Sequence, residues 1–193
     1  MAFPAHLTLR TVFLLALGLL VLQALVLFSF GQPLVCECGS ISLWNGDVRG
    51  PENSQQLSDW YTPSHVIHGF LFFWLLGWLF PRLPLGYRLL LALGIEIGWE
   101  LLENTPMVIE HYRKQALAQG YVGDSIINSI SDTLAMLTGF WIAKTVPLWL
   151  TLSFLVGLEL FTLYFIRDNL TLNIINLIYP LTTISNWQAG LGT

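Results

Sequence analysis

VFLLALGLLVLQALVLFSF, Val12 to Phe30, is an apolar run interrupted only by Gly18, Gln23 and Ser29. A bilayer core needs roughly 20 such residues in helical form, so this stretch is long enough to span one. The rest of the chain has the same character. Of its 193 residues, 54% are hydrophobic and 10% are charged, whereas soluble domains carry about a quarter charged residues. The chain lacks the polar residues that a water-facing coat requires. The run also exceeds the roughly 7–15 apolar residues of a secretory signal, and no A-x-A-like cleavage site follows it. Pro33-Leu34-Val35-Cys36 puts Val35 where a lipoprotein cleavage box needs a small residue. The segment reads as a retained anchor.

Four further spans are expected outward from it, near residues 64–80, 85–103, 125–143 and 146–166. The second is entered through Pro63 and stopped by Pro81. The third carries Glu96 and Glu100, the fourth is the most polar, and the fifth contains Glu159. A tail near 170–184 is too short to span. Its Leu170, Ile174, Leu177, Ile178 and Leu181 recur at near-helical spacing, with Asn169, Asn173 and Asn176 on another face, as in an interfacial helix. A short amphipathic helix is expected between Pro106 and Gly120. The expected fold is an all-α membrane protein: one integral domain over residues 1–193, a bundle of about five transmembrane helices with a C-terminal interfacial helix. The lipid bilayer is its partner. With net charge −4 and no basic run, nucleic acid is excluded as one. Nothing in the sequence sets an oligomeric state.

Lysine and arginine alone do not orient the bundle. With the N-terminus inside, Arg10, Arg82, Arg88 and Lys144 lie on the inner side and Arg49, Arg113, Lys114 and Arg167 on the outer. The inner connections are short and carry no acids, which is where the positive-inside rule has most weight. The expectation is N-terminus in and C-terminus out.

Helix parity then gathers the unusual polar residues. Five alternating spans put the entries of the second and fourth and the exits of the third and fifth on one membrane side. His65 and His68 open the second span, and Glu100, Glu103 and Asn104 close the third with Glu96 one turn deeper. Asp124 and Asn128 open the fourth with Asp132 further in, and Arg167, Asp168 and Asn169 close the fifth. Ionisable groups at membrane depth are costly unless paired or hydrated, so they should face the bundle interior.

Three chemistries fit that cluster. One is a packing network of His–Glu, Arg–Asp and Asn–Ser contacts. Another is a divalent transition-metal site built from His65, His68, Glu100, Glu103 and Asp124, since two imidazoles and facing carboxylates match zinc, iron or manganese. The last is a general acid–base pocket for a lipid or other amphipathic substrate, drawing on His65, His68, Glu100, Glu103, Asp124, Asp132 and Arg167. No nucleophile is identifiable. Cys36 and Cys38, just after the first span, could form a disulfide or bind a soft metal. Trp44, Trp60 and Tyr61 mark the membrane interface there or line a mouth above the cluster.

The blocks Cys36-Glu-Cys-Gly, Ser64-His65-x-x-His68-Gly69, Trp99-Glu100-x-x-Glu103-Asn104, Gly123-Asp124-Ser125-x-x-Asn128-Ser129 and Arg167-Asp168-Asn169-Leu170-Thr171 resemble a bacterial multi-pass membrane protein family of unknown function, domain of unknown function 2585. The resemblance runs from Cys36 to Gln188. It implies a protein of the bacterial cell (inner) membrane, which with the loop charges places the N-terminus in the cytoplasm and the C-terminus in the periplasm. It implies no reaction or ligand. The functional expectation is a polar, metal-binding pocket at the periplasmic face that acts on an envelope lipid or its head group. The alternative is a non-enzymatic scaffold or assembly protein that uses the same network for helix packing.

Overall fold

The long helices begin where the sequence supplies start signals. Thr8 and Ser125 accept hydrogen bonds from Thr11 N and Asn128 N and so cap α1 (Leu9–Ser29) and α5 (Ile126–Thr145). Proline opens α2 (Thr62–Leu79) from within its first turn, and α3 (Leu85–Glu103) and α6 (Leu148–Ile166) from the cap position. The computed structural model describes residues 7–190. Among these are eight helices and no strand, the shorter ones being α4 (Pro106–Tyr112), α7 (Leu170–Ile178) and α8 (Thr182–Ala189). Three helices are long and apolar enough to cross a membrane: α1, α5 and α6. The other two long helices have 18 and 19 residues. Of these, α2 opens on Thr-Pro-Ser-His and α3 carries Arg88, Glu96, Glu100 and Glu103.

The central pair is α2 against α5, with α1 and α3 packed on α5 and α6 against both. Gly69 and Gly139 set that pair. A Cβ at Gly69 would run into the Met136 carbonyl and the Phe140 nitrogen, and one at Gly139 would run into the Val66 carbonyl. The two backbones therefore touch without intervening side chains, as small residues allow in membrane-type packing. On one side of the contact lies an apolar core of Leu76, Ala92, Leu93, Ile97, Met136 and Phe140. On the other lie the polar residues.

The first loop closes the polar end. The carbonyls of Pro33 and Leu34 accept Ile126 N and Ile127 N, those of Ser54 and Gln55 accept Ser125 N and Oγ, and that of Gln56 accepts Asn128 Nδ2. The N-terminal N–H groups that a helix cannot satisfy itself are thus met by backbone from far away in the chain.

Two expectations change. The tail is two helices, α7 and α8, because Pro180 lacks an N–H and holds the preceding Tyr179 extended (φ −146°, ψ 91°). The helix after Pro106 stops at Tyr112, and the residues up to Gly120 form turns. The sequence there mixes charges without an apolar stripe long enough to continue it.

Gly69→Ala and Gly139→Ala should each cost about 3 kcal/mol or more through overpacking against backbone. A melting curve in detergent should then shift down by roughly 6–12 °C. Gly18→Ala and Gly157→Ala, where an added Cβ meets nothing within 4 Å, should leave the curve unmoved.

Candidate functional site

Spacing of three on α2 puts His65 and His68 on one face, and spacing of four on α3 stacks Glu96 and Glu100 opposite them. The two faces meet. His65 Nδ1 donates to Glu96 Oε1 at 2.7 Å and His68 Nδ1 to Glu96 Oε2 at 3.0 Å. His65 Nδ1 also lies 3.3 Å from Glu100 Oε1, and its Nε2 lies 3.8 Å from Asp132 Oδ2 on α5. Asp132 Oδ1 accepts from Thr62 Oγ1 at 3.0 Å, and Glu100 Oε2 accepts from Ser129 Oγ at 2.6 Å. Glu96 and Glu100 are buried, and Glu100 Oε1 has no hydrogen-bond partner.

His65, His68, Glu100 and Asp132 border a cavity of about 310 Å³. Its polar wall holds His65, His68, Glu100, Glu103, Asp124 and Asp132. Tyr112 and Tyr121 of the α3–α5 connection form its roof, their rings edge to face at 5.6 Å. Tyr121 donates to Asp124 Oδ1 at 2.9 Å, and Asn104 Nδ2 donates to Asp124 Oδ2 at 2.6 Å while its Oδ1 accepts Asp124 N. Gly123 makes this corner possible. Its φ is +98°, and an added Cβ would strike Gln32 and Asn104.

Ligand atoms of His65, His68 and Glu96 all lie within 4.8 Å of one another, a group able to hold a metal ion. Glu100 offers the next oxygen. Glu103 and Asp124, expected as ligands from the sequence, line the cavity at its rim, and Glu96 takes the position between the imidazoles. Sequence spacing places Glu96, Glu100 and Glu103 on one helix face but cannot say which turn lies level with the histidines.

The other expected residues divide. Asn104 holds Asp124, and Asn128 turns to the Gln56 carbonyl. Arg167 lies outside the cavity. It caps α6 in the left-handed conformation (φ 58°), donates to the Trp187 carbonyl at 2.9 Å and stacks on the Trp187 ring. Asp168 accepts from Tyr61 at 3.3 Å and Gln188 at 3.1 Å. Asn169 caps α7, whose first N–H groups also meet Glu159. Cys36 and Cys38 form a disulfide in the first loop, where Gln56 Nε2 reaches Cys38 Sγ and Glu52. Of the aromatic lining, Tyr61 occupies one of its two expected places, whereas Trp99, Tyr112 and Tyr121 went unread in the sequence. Gln23 did too. Its buried amide donates to Ser129 Oγ at 2.8 Å and Thr133 Oγ1 at 3.0 Å, fastening α1 to α5.

Burial pushes the carboxyls of Asp124 and Asp168 up to about 6, against hydrogen bonds that pull the other way, from Asn104 and Tyr121 on Asp124 and from Asn169 N, Tyr61 and Gln188 on Asp168. A folded-state value above the usual 3.8 gives stability that is complete below that value and is lost as pH rises through 6. The melting temperature should fall between pH 4 and 7. Asp168→Asn, which can still pair with both Tyr61 and Gln188, should flatten part of that fall, and an unchanged slope would exclude Asp168 as its source.

The family model "Protein of unknown function (DUF2585)" matches residues 27–190. A UPF0314 protein of Sphingopyxis alaskensis is 49% identical over 181 residues, 94% of this chain and 96% of the relative. UPF0314 proteins of Rhizobium meliloti and Agrobacterium fabrum are 53% and 50% identical, covering 92% and 91% of this chain and 90% and 89% of theirs. No solved structure matches. The chain belongs to the bacterial DUF2585 family, of which these UPF0314 proteins are its relatives.

Proposed function

We propose that this chain is a multi-pass inner-membrane protein in which α1, α2, α3, α5 and α6 all cross the bilayer. Its cavity opens at the periplasmic face, binds a divalent transition metal, and acts on an envelope lipid or its head group. The N-terminus is then cytoplasmic and the C-terminus periplasmic, and α7 and α8 lie at the interface. The polarity of α2 and α3 supports this reading, because their ionisable groups turn toward each other and toward α5. At the opposite end, Trp78, Trp141 and Trp149 are exposed and Lys144 sits 3.9 Å over the Trp141 ring, the composition of an interfacial belt.

The observation that carries the metal is the convergence of His65, His68 and Glu96 within 4.8 Å. A metal would displace the protons these groups share. Glu100 Oε1, without a hydrogen-bond partner, is the nearest further donor. Three protein ligands with one more position open suit zinc as a Lewis acid. The scaffold reading draws support from a different observation, the Gln23–Ser129–Thr133 network, which joins α1 to α5 outside the lining of this cavity.

Elemental analysis of protein purified in detergent without chelator should find about one zinc, iron or manganese per chain. Affinity should drop about 10–100-fold in Glu96→Gln if that carboxylate holds or orients the imidazoles. Wild type that contains no metal and takes none up on dialysis rejects the metal. For the scaffold, His65→Ala should lose stability and cellular phenotype in step. Lost phenotype with an unchanged melting curve rejects it.

A further inference from the structure

The cavity has two kinds of wall, and their depths differ. Glu103, Asp124, Tyr112 and Tyr121 lie at its upper end. Leu71 and Ile95 also line it, and both are exposed on the outside of the helix pair, at 40% and 47%. Ile95 precedes Glu103 by eight residues and Leu71 follows Thr62 by nine, so both lie about 12–14 Å below the polar end at 1.5 Å per residue. The cavity therefore has a sideways opening between α2 and α3 at hydrocarbon depth, walled by Leu71, Phe72, Ile95 and Trp99.

The charge of the upper end is one-sided. Four carboxylates, Glu100, Glu103, Asp124 and Asp132, face two imidazoles, and among the described residues lining the cavity there is no lysine or arginine. The imidazoles are already engaged by Glu96. Three lining residues keep buried polar atoms without hydrogen-bond partners: Asn53 Oδ1, Glu100 Oε1 and Gln115 Nε2. Glu100 is 1% exposed. Buried polar atoms in folded proteins are nearly always paired, so partners for two acceptors and one donor are owed from within the cavity.

Resting on the reading of the cavity as a site for an envelope amphiphile, we propose that its ligand is a long-chain amphiphile with an ammonium head group. The ammonium sits among Glu103, Asp124 and the faces of Tyr112 and Tyr121, and the hydrocarbon chain leaves between α2 and α3. Carboxylates beside aromatic faces are the chemistry that recognises ammonium ions. An N–H donor on the head group supplies what Glu100 Oε1 and Asn53 Oδ1 lack, and an ester or amide oxygen near it accepts from Gln115 Nε2. A bare phosphate head at that end would sit beside Glu103 and Asp124 with no lysine or arginine to balance it.

The test uses full-length protein in nanodiscs and a long-chain primary alkylammonium brominated partway along its tail, at the level of Trp99. Bromine quenches tryptophan, so the probe should quench saturably, and that component should vanish in Trp99→Phe. Glu103→Gln should weaken binding about tenfold or more, the value of one charge-assisted contact, with gel filtration and melting temperature verifying that the variant folds. The alkyl sulfate of the same chain should not compete. Equal competition by the sulfate, or binding indifferent to Glu103→Gln, overturns the proposal, as does sulfate binding that appears only after zinc is added. Metal content measured on the same samples separates the two readings. Lost ammonium binding with metal retained removes this proposal alone, and ammonium binding in protein that neither contains metal nor takes it up on dialysis removes the metal alone.

Discussion

The contact between the backbones of α2 and α5 at Gly69 and Gly139 fixes the geometry of everything above it. His65 lies one turn from Gly69 and Asp132 two turns from Gly139, so the approach of the two helices sets how far the imidazole stands from the α5 carboxylate. At 3.8 Å they are neighbours. A separation wider by one methyl group would leave Asp132 buried without its imidazole neighbour, a costly state for a carboxylate. The packing constraint and the chemistry of the site are one feature seen at two heights.

Polar groups inside an apolar bundle must be satisfied by the protein itself. This fold does so in two ways. Side chains answer side chains across α2, α3 and α5, while the loop after α1 answers the bare N-terminus of α5 with its own carbonyls. The second device leaves those N–H groups unable to receive an anion from outside. It agrees with the acidic cavity beside it, where Asp124 meets Asn104 and Tyr121 in place of a cation.

Much of this was legible in the sequence. Helix spacing put His65 with His68 and Glu96 with Glu100, and parity put those pairs at one end with Asp124 and Asp132. The structure brings all six together. Spacing failed where depth mattered: it could not rank Glu96 above Glu103 as the partner of the histidines, because that depends on the relative height of two helices. It also failed at Arg167, whose left-handed turn aims the side chain at α8 and away from the cavity. A local conformation of that kind leaves no trace in periodicity. Of the roof tyrosines, Tyr112 ends the short α4 and Tyr121 follows in irregular backbone, so neither belongs to a periodic run that spacing could read.

Gln23 has a consequence in time. Its partners Ser129 and Thr133 lie 106 and 110 residues further along the chain. A bacterial ribosome adding roughly 5–20 residues per second needs on the order of five to twenty seconds to make them. Through that interval the first helix carries an amide without the partners it has in the finished fold, within a segment otherwise apolar. The group that later locks α1 onto α5 is, until α5 arrives, a handle for any polar helix nearby, including the same segment of another nascent copy.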